Sequence, residues 1–375
     1  MKPLRIVLFF TRGASLQDWR DTGTLQRDLL LYERLAEEGH AISLITYGNE
    51  EDREILPATS PIRVLTKPPG ISDNVYARRI HKIHRKALEK TDLIKSHQVK
   101  GAASAAFAAW RLKKPYLARC GYLPSVFARE EARPRLERLG LYIEEGFSFR
   151  SAKAVAVPSV AEADYIARRY RVPPLRITLC PNWVDTNRFC PDPAITRHPR
   201  RICFVGRLEP QKQPLFFLTA LQGIPEVEAI MVGDGHLKEA VEAEIRKRKL
   251  NVKLLSRVPN EDLPQFLNAS TLYAFPTRYE GGSPKTLLEA MACGLPVVST
   301  TGFGVTEAYE HGVQGLMCGV DDLVGFRKAL CTLLDDPAKA CLMGERARSH
   351  VVEQYSIERA LERERALLSG LVGTH

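Results

Sequence analysis

Two α/β domains of similar build, each a parallel sheet covered by helices on both faces, are the architecture this sequence predicts. Three observations carry the expectation. A length of 375 residues exceeds what one hydrophobic core usually serves. Short apolar strands alternate with helical stretches, the pattern of parallel sheets. The rhythm then breaks at a proline-rich stretch and restarts.

In chain order, Leu4–Phe10 is a short apolar run, followed by a helical pattern over Asp28–Glu38 that closes at Gly39. Strands are expected at Ala41–Thr46, Ile62–Leu65 and Leu93–Lys95. The small-residue run GAASAAFAAWRL is a helix suited to close packing on a sheet. Pro115–Arg119 and Ala154–Pro158 complete the first set. The stretch PNWVDTNRFCPDPAITRHPR has little periodicity and reads as a linker. Beyond it come strand Arg201–Val205, a helix from Leu215, strand Glu228–Val232, helix Leu237–Lys247 and strand Val252–Leu255. Strand Thr271–Phe275, helix Pro284–Cys293, strand Pro296–Ser299 and helix Asp322–Asp335 follow. The expected domains are residues 1–182 and 183–355, with a final helix in 356–375 packing back on the first. No close internal repeat relates the halves. Two such domains facing each other place a ligand beyond the carboxyl ends of their strands.

Hydrophobic residues at 45% and charged residues at 26% exclude a disordered or collagen-like chain. No window approaches the ~18 apolar residues of a membrane span. The start, MKPLRIVLFFTRG, has no small-residue cleavage site and reads as a buried strand, so a cytoplasmic location is expected. With 54 Lys and Arg against 44 Asp and Glu, the net charge of +10 suits an anionic partner. The eight cysteines are scattered without a C-x-x-C pair and read as plain buried thiols.

The most informative stretch is PTRYEGGSPKTLLEAMACGLPVVST. Ser283 is a good N-cap, Pro284 fits the first helical position and Gly294 fits the C-terminal cap. The helix between them is apolar nearly all round, yet Glu289 sits in its middle. A buried carboxylate is costly unless hydrogen-bonded, so it has either a core partner or hydroxyls of a polyol ligand. Glu280 on the preceding loop, with Gly281, Gly282 and the amides near Ser283, favours a ligand. In ICFVGRLEPQKQPLFFL, Arg207 and Lys212 flank a strand-to-helix turn, where two cations suit a diphosphate. Taken alone they read more simply as solvated charges. MVGDGHL lacks a third glycine and reads as a tight turn. TTGFGVTEAYEHG is a glycine-bearing loop of the kind that either touches a phosphate or sugar or merely turns the chain.

The pieces PNWVDTNRF, FVGRLEPQKQP, MVGDGHL, YEGGSPKTLLEAMACGLPVV and HGVQGL stand in the order found in a known family. Over about residues 180–320 the chain resembles the retaining family-4 (group 1) glycosyltransferases of GT-B fold, which pack two Rossmann-like domains around a cleft. The resemblance implies that Arg207 and Lys212 hold a donor diphosphate, that Glu289 binds ribose hydroxyls and that Glu280 faces the transferred sugar. It likewise implies that the backbone at Gly281–Ser283 contacts sugar or phosphate and that Arg257 and Val258 border the base. One departure is the spacing. The family has seven residues between its glutamates, whereas eight, Gly281 to Leu288, lie here between Glu280 and Glu289. In the N-terminal half, relatives carry a Gly-Gly pair after the first strand. Here the loop reads TRGASLQDWRDTG, in which Gly13 is the only glycine near the strand, with Arg12 facing the diphosphate or the acceptor. The histidine of many relatives is replaced by the region YLARCGYLP, and His97 reads as a structural hydrogen-bonder.

VYARRIHKIHRKALEK places Tyr76, Ile80, Ile83 and Ala87 on one helical face among five basic residues. Such a helix either sits on an anionic membrane or covers a core with a solvated face. His81 and His84 lack a nearby carboxylate cluster, so no metal site is expected, and no D-x-D motif is present. The implied activity is metal-independent, retaining transfer of a sugar from a UDP- or GDP-sugar donor to the hydroxyl of a glycan or lipid-linked acceptor. It needs no cofactor beyond that donor and fits cell-surface polysaccharide or lipopolysaccharide synthesis. The rivals are an epimerase or phosphorylase of the same architecture, an idle sugar-nucleotide sensor, and a nucleic-acid binder. The last lacks any recognition motif, so no nucleic-acid partner is expected.

Overall fold

The computed structural model describes residues 2–372, and the chain divides into two compact units. One runs through Pro181 and takes in the chain again from Ala360; the other is Asn182–Arg359.

The first unit contains β1 (Arg5–Phe9), α1 (Leu16–Asp21), α2 (Leu25–Glu37), β2 (Ala41–Ile45), β3 (Arg63–Leu65), α3 (Asp73–Ile83) and α4 (Arg85–Glu89). It continues with β4 (Leu93–Ser96), α5 (Ala102–Leu112), β5 (Tyr116–Arg119), α6 (Pro124–Glu130), α7 (Arg135–Ser151), β6 (Ala154–Val157), α8 (Val160–Tyr170) and β7 (Ile177–Leu179). The second contains β8 (Arg201–Val205), α9 (Pro214–Leu221), β9 (Glu228–Val232), α10 (Lys238–Arg248), β10 (Val252–Leu255), α11 (Leu263–Asn268) and β11 (Leu272–Phe275). Then come α12 (Lys285–Ala292), β12 (Val297–Thr300), β13 (Gly315–Cys318), α13 (Leu323–Leu334) and α14 (Pro337–Tyr355). The final helix, α15 (Ile357–Val372), returns to the first unit.

Both sheets are wholly parallel. Their orders are β3-β2-β1-β4-β5-β6-β7 and β10-β9-β8-β11-β12-β13, the doubly wound Rossmann-like arrangement in each unit. The central strands AVAV of β6 and LYAF of β11 are buried on both faces, as helices on either side of a parallel sheet require. Register is fixed by pairs such as Phe9 with Ile45 and Ser96, and Val205 with Val232. In α5 five buried alanines let the helix lie close to its sheet. In each unit the strand order reverses once, between β1 and β4 and between β8 and β11. Loops leaving the carboxyl ends of those strands flank the crevice where doubly wound sheets take ligands.

α15 is tied down by charge. Lys95 on β4, 1% exposed, donates to the carboxylate of Glu364, also buried, and Arg365 pairs with Glu38. Burial works against the Lys95 ammonium, but Glu364 and Tyr32 outweigh it and hold its pKa above the ordinary lysine range.

Two local expectations are corrected. Pro284, not Ser283, is the N-cap of α12, because its φ of −68° and ψ of 131° leave the helix to begin at Lys285. Residues 75–90 form no single helix. α3 ends at Ile83, His84 turns the chain, and α4 follows. Tyr76 and Ile80 are fully buried, so the apolar face of this segment is consumed by the core while Arg78, Arg79 and Lys82 face outward.

Candidate functional site

In the second unit β8 delivers its chain to Gly206 and the exposed Arg207. The chain turns back through Gln211 and Lys212 before α9. Gln211 organises the turn. Its Oε1 accepts from the Arg207 guanidinium at 2.9 Å and its Nε2 donates to the Tyr279 carbonyl at 2.7 Å. Lys212 Nζ donates to Glu280 Oε1 at 2.5 Å and lies 4.8 Å over the Phe275 ring. The same Glu280 oxygen accepts from the Thr277 hydroxyl at 2.7 Å. Lys212 and Glu280 therefore form a nearly buried pair, side chains 13% and 10% exposed, at the mouth of the β8–β11 crevice. Sequence reading placed both residues here but not their contact.

The loop carrying Glu280 is shaped by another glycine loop. Glu280 N–H donates to the Phe303 carbonyl at 2.6 Å. A Cβ at Gly304, where φ is +80°, would lie 2.5 Å from both the Glu280 carbonyl and Gly282 N. The glycines of MVGDGHL serve likewise. A Cβ on Gly233 would sit 1.9 Å from the Gly206 carbonyl, so the turn after β9 closes directly on the turn after β8. These two glycine loops form the bed on which the cation turn and the acidic loop lie.

Gly282 takes φ +109°, Ser283 is buried, and the Ser283 carbonyl accepts from Asn182 Nδ2 at 2.9 Å. Because the N-cap of α12 is proline, no side chain caps the helix's first amides, and no acidic residue lies in its first turn. The other end is held by Arg348, whose guanidinium donates to the Ala292 and Phe189 carbonyls at 2.9 and 2.7 Å.

Glu289, 2% exposed, is half satisfied. Its Oε1 accepts from Asn260 Nδ2 at 2.9 Å, while Oε2 is buried without a hydrogen-bond partner among the described residues. Asn260 closes the loop after β10 that also carries exposed Arg257 and half-buried Val258, the latter packed on the core. Burial above all, then Cys203 and the charges of Glu289 and Glu280, pushes the Tyr273 phenol well above the ordinary range. Asn260, Gln211 and Thr277 were missed by sequence reading. Asn260 resembles a helix-start residue in VPNEDL, and nothing in the sequence shows that its amide reaches α12.

Arg207, Lys212, Glu280, Gly281–Ser283, Arg257 and Val258 thus lie on loops of the second unit, and Glu289 lies on α12, which follows the loop of Glu280. Arg12 and Gly13 belong to the other unit, on the loop after β1. There Arg12 N–H donates to the Lys100 carbonyl at 3.1 Å and Gly13 takes φ +81°. His97, leaving β4, stands 4.8 Å from the Trp19 ring. Among the described residues no group of three or more His, Cys, Asp or Glu side chains is placed to hold a metal ion.

The family model for group 1 glycosyl transferases matches residues 199–336, and that for glycosyltransferase family 4 matches residues 29–188. The chain belongs to the family-4, group 1 glycosyltransferases. This glycosyltransferase is 25% identical over 301 residues, 76% of each chain, to the UDP-Gal:alpha-D-GlcNAc-diphosphoundecaprenol alpha-1,3-galactosyltransferase of Escherichia coli. It is 30% identical over 201 residues to a GDP-mannose-dependent phosphatidylinositol monomannoside mannosyltransferase of Corynebacterium glutamicum, a match spanning 48% of this chain and only 52% of that protein. Among solved structures, Anabaena HepE in complex with UDP superposes with a TM-score of 0.79 at 19% identity, covering 98% of this chain and all of that one. The fold of the glycosyltransferase is accordingly GT-B.

Proposed function

We propose that this glycosyltransferase moves a sugar from a nucleotide diphosphate sugar to an acceptor hydroxyl with retention of anomeric configuration and without a metal ion. The observation that carries the reading is Glu289 Oε2, a buried carboxylate oxygen with no hydrogen-bond partner among the described residues, on a helix whose proline N-cap makes no side-chain cap. Ribose hydroxyls supply the donors this oxygen lacks. The N-terminal end of α12 and the side chains of Arg207 and Lys212 suit the diphosphate.

In the proposed reaction the bond from the anomeric carbon to the leaving phosphate oxygen breaks. The acceptor oxygen bonds to that carbon from the same face, and the acceptor proton passes to a donor phosphate oxygen. Charge grows on the departing diphosphate, so Arg207 and Lys212 stabilise the transition state more than the ground state. Glu280, already tied to Lys212, is oriented toward the transferred sugar.

UDP- and GDP-sugars are the donors to test first, since the Escherichia coli and Corynebacterium relatives are named for them. Their lipid-linked acceptors support a role in cell-surface polysaccharide or lipopolysaccharide assembly, on the cytoplasmic side of the membrane. The exposed basic face of residues 75–90 favours an electrostatic contact with anionic lipid, since Tyr76, Ile80 and Leu88 are buried in the core.

Calorimetric titration of UDP, GDP, ADP and their sugars, without added metal, tests the reading. One tight nucleotide, with binding lost in Glu289→Ala, supports it. Absence of binding to all of them overturns it.

A further inference from the structure

Two residues of the second unit hold left-handed backbone where a glycine would be unstrained, and they bond to each other. Gln213 takes φ +46° and Asp321 takes φ +64°. Lys113, Arg171 and Lys249 take such angles as the residues that end α5, α8 and α10, where helices commonly finish that way. Gln213 instead opens α9, directly after Lys212, and Asp321 stands in the turn between β13 and α13. Gln213 is only 6% exposed, and its Nε2 donates to Asp321 Oδ1 at 2.6 Å. The same oxygen accepts from the Arg278 guanidinium at 2.8 Å, and Arg278 lies two residues before Glu280. One carboxylate oxygen therefore holds both the neighbour of Lys212 and a member of the loop of Glu280. Strained backbone persists where its surroundings over-determine it, and such places cluster at binding and catalytic sites.

We infer that Asp321 is a positioning residue, which with Gln213 and Arg278 clamps the cation turn to the acidic loop and so fixes where Lys212 and Glu280 stand. The inference rests on the transferase reading, which it deepens by adding a third loop behind the diphosphate and sugar site. Two other contacts tie the same loops. Arg278 N–H donates to the Gln211 carbonyl at 2.9 Å, and Gln211 Nε2 donates to the Tyr279 carbonyl at 2.7 Å. Both sit at Gln211, on one side of Lys212; the bond from Gln213 sits on the other. Without the clamp the turn is free to pivot about Gln211, and Lys212 moves with it relative to Glu280. The Arg278–Asp321 pair is half exposed, 50% and 53%, and as an ion pair alone contributes little. Its value is geometric, because the guanidinium and the Gln213 amide share one acceptor. A glycine at either left-handed position would relax the backbone and give up the link. Stability and turnover are thus opposed at positions 213 and 321, which a merely structural contact would not show.

Asp321→Gly in the full chain tests it, because the change removes strain and clamp together. Its melting temperature should stay level or rise. Hydrolysis of UDP-glucose or GDP-mannose, which needs no acceptor, should slow by roughly tenfold, as a small misplacement of reacting groups does. Binding of UDP and GDP should change by less than about threefold, since Glu289 lies outside the clamp. Asp321→Asn keeps an acceptor oxygen and should restore most of the rate. Gln213→Gly combined with Asp321→Gly should be no slower than the slower single variant, because the two side chains act as one unit. Hydrogen exchange gives a readout that needs no substrate. The amides of Arg278 to Glu280 should exchange roughly tenfold faster in Asp321→Gly than in the wild type, with nucleotide absent. The inference is overturned if that exchange is unchanged, or if Asp321→Gly hydrolyses either donor at the wild-type rate. It is also overturned if the rate falls only in step with the melting temperature, or if the double variant's loss is the product of the two single losses. A wild type that binds and hydrolyses no nucleotide sugar, while the exchange still responds, sinks the transferase reading and leaves the clamp on Lys212 and Glu280 standing.

Discussion

At the scale of single residues, Glu289 shows how a site can be built around half a carboxylate. Asn260 holds one oxygen and so fixes the direction of the other. Glu289→Ala should weaken nucleotide binding by roughly 10- to 100-fold, the value of hydrogen bonds to a charged group. Asn260→Ala should weaken it by less, about 3- to 10-fold, because the carboxylate remains but turns. Calorimetric titration of both variants ranks them, and equal losses would remove the positioning role. Arg207 and Lys212 should separate in a different way. Each alanine variant should lower kcat by roughly 10²- to 10³-fold, as loss of a transition-state charge contact does. Only Lys212→Ala should also lower the melting temperature, because it strands nearly buried Glu280, whereas Arg207 is exposed. Parallel melting curves and initial rates read both effects.

At the scale of elements, the turn between α3 and α4 carries a pH response. His84 accepts or shares a proton with the Tyr76 hydroxyl at 2.7 Å, and burial, with Arg53 and Arg63 nearby, pulls its pKa down to about 4. An unfolded histidine takes its proton near pH 6.5, well before the folded one. Stability is therefore whole above that pH and drains away as pH falls toward 4, by on the order of 2 kcal/mol after allowing for partial exposure. Urea titrations of wild type and His84→Gln across that window should show the variant's profile flattened. The sequence made the inner strands legible because buried parallel strands are largely apolar, and β8 and β9 fell on their expected residues. β7 and β13, ITL and GLMC, escaped: each is a run of three or four residues at a sheet edge with no fully apolar buried core of its own. α7 escaped for the opposite reason: its clearest apolar period lies outside the core. The candidate site was legible as a set of loops. Its wiring, Lys212 to Glu280 and Asn260 to Glu289, depends on register between loops 68 and 29 residues apart and could not be read from either loop.

At the scale of the whole molecule, the thiols report on integrity. Burial pushes Cys203 up to about 12 and Cys180 up to about 11, while Cys341 is exposed. Iodoacetamide at neutral pH should label Cys341 first, with Cys120, Cys180, Cys203 and Cys293 reacting only on unfolding, as mass spectrometry of digests would show. The buried Lys95–Glu364 pair joins positions 269 residues apart. Removing either partner should cost about 3–5 kcal/mol, whereas Lys95→Met with Glu364→Leu should recover most of it, by chemical denaturation. The same pair sets an order of events during synthesis. A ribosome adding about 5–20 residues per second needs on the order of tens of seconds to travel from Lys95 to Glu364. Until Glu364 is made, Lys95 lacks this counter-ion, and closing the first sheet over its ammonium is unfavourable. The N-terminal half, although translated first, is thus completed last, and a nascent chain released before α15 emerges should be the form that quality-control proteases meet.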